Sequence, residues 1–392
     1  MKVISVAVKR ERQDPSRRKF LKYGIATAGT VAVAGIAGIS LFNSPRTQDQ
    51  TTISSRSETK AITTAVTAPT TTASSTTAKH VYNKIEDMNG QLPLFNVHVH
   101  LIKAITPEDI LAKMDRTGTS RVVLMPLHYN QDGGGGVDEN YVYKFYEKDS
   151  ERLIPFVGMQ RDILRNPDIW LQPDKDSEVS NVLMTAESHM KKGIFKGIGE
   201  FILRHYGYTK GQDIMHDVDV PIDSPLFYKF LNLAQKYDVP VNIHLEAEEK
   251  TLASLENVLQ SRPDAKIVWA HCGRADTATL RRLLGKSNNL YFDVAGMMAT
   301  DDSLYGSNDP QFRKNPHEDG SGNLYPEWKK FYEDFADRII GIGTDATHAS
   351  GYQNNWDPRI NRFRQLLLSL SESARTKIAY KNAEKLYLGM NW

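Results

Sequence analysis

Five apolar runs in this chain each end in an imidazole or a carboxylate, and no other feature constrains the fold as tightly. His98 and His100 close the run Leu94–His100, and Glu200 closes Phe195–Glu200. His244 closes Val239–His244, His271 closes Ile267–His271, and Asp345 closes Ile339–Asp345. Near-continuous apolar character marks strands that are buried on both faces. A parallel barrel brings the C-terminal ends of its strands to one rim, where chemistry is done. Groups distant in sequence are therefore expected to converge, and imidazole with carboxylate is the donor set of a divalent metal.

The strands read from the sequence are Leu94–His100, Arg121–His128, Leu153–Met159, Phe195–Phe201, Val239–Glu246, Ala265–Cys272, Leu290–Ala295 and Arg338–Asp345. Helical stretches lie between them. Thr106-Pro107 and Ser224-Pro225 each set a capping hydroxyl before proline at the first helical position. Eight strand–helix repeats over residues 81–392 predict an α/β fold, a (β/α)8 TIM barrel. The alternative is an open doubly wound sheet, but no glycine-rich phosphate fingerprint follows the first strand. Three long connections are expected on the active rim: Asn130–Asn140 with glycine at 133 to 136, His205–Asp223 and Met297–Tyr325. They are read as substrate loops or as plain surface loops.

The first eighty residues read differently. Ser16-Arg17-Arg18-Lys19-Phe20-Leu21-Lys22 resembles a twin-arginine export signal, followed by an uncharged Gly/Ala-rich stretch from Gly24 to Phe42. Residues 1–43 are thus expected to be a signal or an N-terminal membrane anchor. Ala32-Val33-Ala34 lies inside the apolar run and no good cleavage site follows it, so a retained anchor and a soluble exported product stay open. No cysteine follows the run, which excludes a lipoprotein anchor. Residues 44–80 are rich in Thr, Ser and Ala and are expected to be a disordered linker. The only cysteine, Cys272, excludes an intramolecular disulfide.

The net charge of +2 hides an asymmetry. Residues 1–80 hold 12 of the 49 Lys/Arg and 4 of the 47 Asp/Glu, which leaves 37 against 43, or −6, for the rest. That balance argues against a nucleic-acid partner. The expected partners are a small-molecule substrate, the export machinery and, through the N-terminal run, a membrane.

His98 and His100, two apart in a strand, point the same way and can reach one ion. With the four other end-of-strand groups, the region from Leu92 to Gly389 resembles the amidohydrolase superfamily, in particular its amidohydrolase-related (type 2) branch, with TatD-like hydrolases as near relatives. The family pattern is His-x-His on strand one, a carboxylate or carboxylated lysine on strand four, histidines on strands five and six, and aspartate on strand eight. His98, His100, Glu200, His244, His271 and Asp345 match it in order, and Ala379–Tyr387 resembles the family's C-terminal helix. Two departures stand out: Asn96 replaces a common aspartate, and Glu200 replaces lysine, so no lysine carbamate is expected.

The resemblance implies one or two divalent ions, with zinc favoured. His98, His100 and Asp345 would hold the more buried one, and Asp345 would accept a proton from attacking water. If Glu200 bridges two ions, His244 and His271 hold the second. If one ion binds, His244 joins its ligands and His271 becomes an acid–base or charge-stabilising group. The plainer reading of Glu200 is a salt partner of Arg204. Arg204, Arg274 and His348, with His205 and His128, are candidates to face substrate, and the Arg274 guanidinium suits a carboxylate or phosphate. His80, His189, His216 and His317 are expected on the surface, and Tyr206, Tyr208 and Trp356 in loop packing.

These readings point to an exported metal-dependent hydrolase acting on an amide, ester, lactone or phosphoester. A single-metal decarboxylase or lyase of the same superfamily is the second reading, and a tethered metal-containing binding protein the third. Replacing Arg17 and Arg18 with lysine is expected to leave the chain in the cytoplasm, because an export receptor reads the paired guanidinium groups. Cell fractionation checks this. Equal export of both forms would mean that the stretch is not a twin-arginine signal.

Overall fold

The computed structural model describes residues 80–129, 135–206, 217–298 and 315–392. The expected signal over 1–43, the linker apart from His80, the middles of the three long connections, His216 and Tyr208 lie outside the described residues. Among the described residues no helix is long and apolar enough to cross a membrane.

Eight parallel stretches close on themselves. β1 (Leu94–Asn96) and β2 (His100–Leu101) both pair with β3 (Thr119–Pro126), which pairs with β4 (Leu153–Pro155). A bridge from Val157 to Ile198 leads to β5 (Ile198–His205), and β5, β7 (Val241–Leu245), β8 (Ile267–Trp269) and β9 (Leu290–Phe292) follow in parallel. Bridges Phe292–Ile339 and Asn96–Ile342 bring the last stretch back against β1 and complete a barrel. β6 (Val218–Asp219) is an antiparallel addition at the end of β5. The strands are buried throughout, apart from Ile202 and Arg204 in the second half of β5, Asp219 in β6 and Tyr291 in β9. That burial explains their unbroken apolar character.

The helix starts follow from local chemistry. Thr106 caps α1 (Pro107–Thr117), accepting from the Asp109 N–H while the Asp109 carboxylate accepts from Thr106 in return. Ser224 accepts from the Phe227 N–H to start α5 (Pro225–Lys236).

Several expected boundaries are corrected. The first run is broken at Val97–Val99, where the chain bonds across the closing seam, Val97 N–H to Ile342 O at 2.8 Å. Glu200 does not end its strand: β5 continues five residues beyond it, with β6 paired against its far end. His271 and Cys272 lie past β8 in a left-handed turn with φ of 57° and 43°. Gly273 allows that turn to pass over Trp269, since a Cβ there would sit 1.9 Å from the indole. The last stretch, expected as a strand over Arg338–Asp345, joins the ring only through bridges.

The seam between the first and last stretches carries its own lock. Asn96 Nδ2 donates to Thr344 Oγ1 at 2.9 Å, and the Thr344 N–H donates to Asn96 Oδ1 at 3.1 Å. The carboxamide thus supplies both the donor and the acceptor of this pair. Gly343 lets the last stretch close on the first, because a Cβ there would stand 2.2 Å from the Cβ of His98.

On the rim, Glu139 opens α2 (Glu139–Lys148) and ties three elements together. It accepts from Arg161 Nη2 at 2.8 Å and from the Gly158 N–H at 3.1 Å, and lies 3.1 Å from His128 Nε2. Burial opposes its charge, but His128 and Arg161 outweigh that and pull its pKa down to about 2. The folded value lies below the unfolded value of about 4.3, so the stabilisation is present above that pH and lost as pH falls toward 2. Glu139→Gln is expected to cost about 3 kcal/mol near neutrality. In urea unfolding, the gap to the parent chain should narrow between about pH 5 and pH 3. A gap that stays constant over that range would show that the charge is not the source.

Candidate metal centre

All six predicted ligands meet at the C-terminal rim around one carboxylate. Glu200 is buried, and its two oxygens face different groups. Oε2 lies 3.4 Å from His98 Nε2 and 3.2 Å from His100 Nε2. Oε1 lies 3.3 Å from His244 Nδ1 and 3.5 Å from His271 Nε2. Asp345 Oδ1 completes the first group at 3.7 Å from His98 Nε2 and 3.4 Å from His100 Nε2, and those two nitrogens are 3.1 Å apart. The donors of His98, His100 and Asp345, and those of His98, Glu200 and His271, each lie within 4.8 Å of one another.

These separations suit a cation. Donors about 2.1 Å from a tetrahedral zinc stand about 3.4 Å apart. The chemistry agrees: Glu200 Oε1 is buried yet accepts no well-aligned hydrogen bond, which keeps its lone pairs for an ion. Glu200 makes no ion pair with Arg204, which corrects the plainer reading: that guanidinium bonds Glu248 Oε1 at 2.7 Å and stacks on Tyr206.

The electrostatics are those of a hole for positive charge. Burial opposes the charge on Glu200 and Asp345, but the surrounding imidazoles hold both carboxyls well below their usual range. Burial likewise opposes protonation of His98 and His100, yet Glu200 with Asp293 or Asp345 raises both. For His244, burial is outweighed by Glu200 and Glu246, and its pKa rises to about 9. A cation bound here displaces those protons, so uptake releases acid and weakens as pH falls.

A set of outer residues, which the sequence reading missed, orients the ligands. Asp293 Oδ2 takes the proton of His98 Nδ1 at 3.0 Å, leaving the Nε2 lone pair for the ion. Its Oδ1 accepts from the backbone N–H groups of His271 and Ala295. His271 Nδ1 donates to the Ala295 carbonyl at 2.9 Å, again freeing Nε2. Glu246 Oε1 holds His244 Nε2 at 3.1 Å. Gln160 Nε2 donates to Glu200 Oε2 at 2.8 Å, and its Oε1 accepts from Tyr129 Oη at 2.6 Å. Glu246 was legible as the residue two beyond His244 on the same strand face. Asp293 and Gln160 lie just past β9 and β4, and only their end-of-strand positions hint at a role.

The other candidates part ways. His348 and His205 line a small cavity of about 130 Å³ over the ligands, with Tyr129, Gln160 and Arg359. Burial holds the His205 pKa well below its usual value, and the His244 ring 5.1 Å away adds to this. Arg204 and Arg274 are not among the cavity residues. Arg274 is buried with Nη1 3.3 Å from Glu246 Oε1. His128 faces Glu139. Two expected surface histidines prove buried. His189 falls on the apolar face of α4 (Ser177–Met190), against Phe195, and His317 packs on Trp328 with Nδ1 3.0 Å from Tyr332 Oη. His80 is half-buried against Glu151, and Tyr206 and Trp356 serve packing as expected.

The family model described as Amidohydrolase matches residues 80–388, and the chain belongs to this family of metal-dependent enzymes. No curated protein matches the chain. Similar solved structures include an uncharacterized TIM-barrel protein of Bordetella bronchiseptica, 14% identical over 75% of this chain and 98% of that one, with a TM-score of 0.49. An amidohydrolase of Burkholderia multivorans with bound zinc is 13% identical over 76% of this chain and 99% of that one, with a TM-score of 0.48. Dihydroorotase of Saccharomyces cerevisiae is 14% identical over 76% and 84%, with a TM-score of 0.49.

Asp293→Asn retains an oxygen for the two backbone N–H groups but sets an amide donor against His98. The imidazole must then carry its proton on Nε2, facing the ion. Metal affinity measured by competition with a chelator is expected to fall 10–100-fold, to roughly the extent typical of outer-shell changes, with the circular dichroism spectrum unchanged. Unaltered affinity would show that Asp293 does not set the tautomer.

Proposed function

We propose that this chain is an exported metal-dependent hydrolase that adds water to a small amide, ester, lactone or phosphoester. One observation carries the reading: the two oxygens of Glu200 address two separate donor groups. That is the disposition of a carboxylate shared between two ions, with His98, His100 and Asp345 on one side and His244 and His271 on the other. Zinc suits the imidazole-rich set best.

Bound divalent cations would supply Lewis acidity, polarising a substrate oxygen and making water acidic near neutrality. The chain's own groups do the rest. Asp345, held ionised by its neighbours, accepts the proton of the attacking water. His205 and His348, lining the cavity beside Arg359, are placed to contact the polar ends of a substrate. The cavity volume of about 130 Å³ favours a small reacting group. The Thr/Ser-rich linker and the paired arginines support export.

A lyase using one ion has its own support, since His98, His100 and Asp345 alone form a compact trio and a single-ion site needs no bridge. Metal analysis separates the two. The hydrolase reading expects two ions per chain, and Glu200→Gln, which retains the volume but not the charge, should lose roughly one of them. Turnover should fall 10–100-fold or more, as for weakened metal shells. One ion per chain, retained in the variant, would transfer the assignment to the single-ion mechanism with His271 as acid–base group.

A further inference from the structure

The face of the barrel opposite the metal centre carries a charge of the wrong sign for this domain. Two adjoining grooves of about 830 and 670 Å³ open there. Their walls come from the N-terminal ends of the strands: Lys196 leads into β5, Val239 into β7, Lys266 into β8, and Arg338 into the closing stretch. Lys266, Lys385 and Leu386 line both, so the grooves are continuous. The first adds Lys377 and Lys381, and the second adds Lys192 and Lys236.

The balance of charge decides what this face fits. Eight Lys/Arg line the grooves against three acids, Asp238, Asp337 and Glu372. Glu187, bonded to Lys236 at 2.6 Å, makes a fourth. The face is therefore about +4 within a domain whose net charge is −6, which leaves the remainder of the domain at about −10 in sum. Lys266 is paired with Asp238 at 2.6 Å and Lys377 with Asp337 at 2.9 Å. Lys192, Lys381 and Lys385 make no ion pair among the described residues.

Apolar groups stand exposed among these cations. Trp392 lines the first groove, is 38% exposed, and has Lys84 and Lys381 over its ring at 4.3 and 4.9 Å. Val81 is 84% exposed beside His80, which lines the second groove. Lysines interspersed with an exposed indole suit a lipid–water interface, where the ring sits among headgroups and the ammonium groups meet phosphate. His80 is also where residues 1–79, with their uncharged Gly24–Phe42 run, join the barrel.

We infer that this basic face docks on an anionic bilayer surface and turns the metal centre away from the membrane toward substrate. The inference does not depend on which reaction the metal centre performs. An N-terminal run retained as an anchor would hold the chain at a membrane of any charge, and the basic face adds an orientation that depends on lipid charge and is screened by salt.

The test uses the full chain with vesicles of phosphatidylcholine alone or mixed with phosphatidylglycerol. At low salt, partition should be at least about 10-fold stronger on the anionic vesicles. The variant Lys192→Glu, Lys381→Glu, Lys385→Glu should fall to the neutral-vesicle level, with metal content unchanged. Acetylation of lysines in the unmodified chain gives a second readout that holds even if the N-terminal run binds both vesicles. Lys381 and Lys385 should be protected on anionic vesicles alone, while Lys250, in the first turn of α6 (Glu249–Ser261) after β7, should react equally on both. Equal protection on both lipids overturns the proposal. So does release by inorganic phosphate at constant ionic strength, which would mark a small-anion pocket. Protection without lipid, accompanied by dimers in sedimentation, would assign the face to a second copy of the chain.

Discussion

A buried, ionised Glu200 is the constraint on which the rest of this structure depends. A carboxylate taken out of water is costly unless charge and hydrogen bonds surround it. Here four imidazoles and one carboxamide do so, and they come from four different parts of the barrel. The barrel is what permits it. No single strand or helix could bring residues 98, 160, 200, 244 and 271 to one carboxylate, but a ring of parallel strands presents them at neighbouring positions around one rim.

The imidazoles, in turn, are not free to choose their orientation. Asp293 fixes His98, the Ala295 carbonyl fixes His271, and Glu246 fixes His244, each by taking the ring proton on the side away from Glu200. The pattern makes two tiers of acceptors: an inner one that addresses the cation and an outer one that sets the tautomers. Glu246 also faces Arg274, so the outer tier is itself charge-balanced. Arg274, a candidate substrate clamp from its position after β8, has this second place in the architecture.

Much of the inner tier was legible in the sequence, and the reason is physical. A ligand at the end of a strand buried on both faces interrupts an apolar run, and six such interruptions in family order are hard to produce by chance. The outer tier lacks that contrast. Asp293 follows Phe292 in a run that reads like any strand leaving the core, and Gln160 has no charge to betray it. Strand limits were less legible because hydrophobicity reports burial, not pairing. β5 runs on through Arg204 and His205 because β6 returns to pair with it, a contact fixed by tertiary structure. His189 and His317 misled for the opposite reason: a polar ring can be buried where aromatic surface meets it, as Phe195 meets His189 and Trp328 meets His317.

The Asn96–Thr344 lock has a meaning for the life history of the chain. Its two halves are 248 residues apart, and they join the first stretch of the barrel to the last. Asp345, one residue beyond Thr344, bonds its own N–H to the His98 carbonyl at 2.9 Å. During synthesis, then, the earliest ligands must wait for the last stretch to leave the ribosome before the coordination sphere exists. Barrel closure and metal competence are a single late event, which takes place wherever the chain folds. For a chain that crosses a membrane only after folding, the ion would be chosen before departure, from the pool of the cell interior.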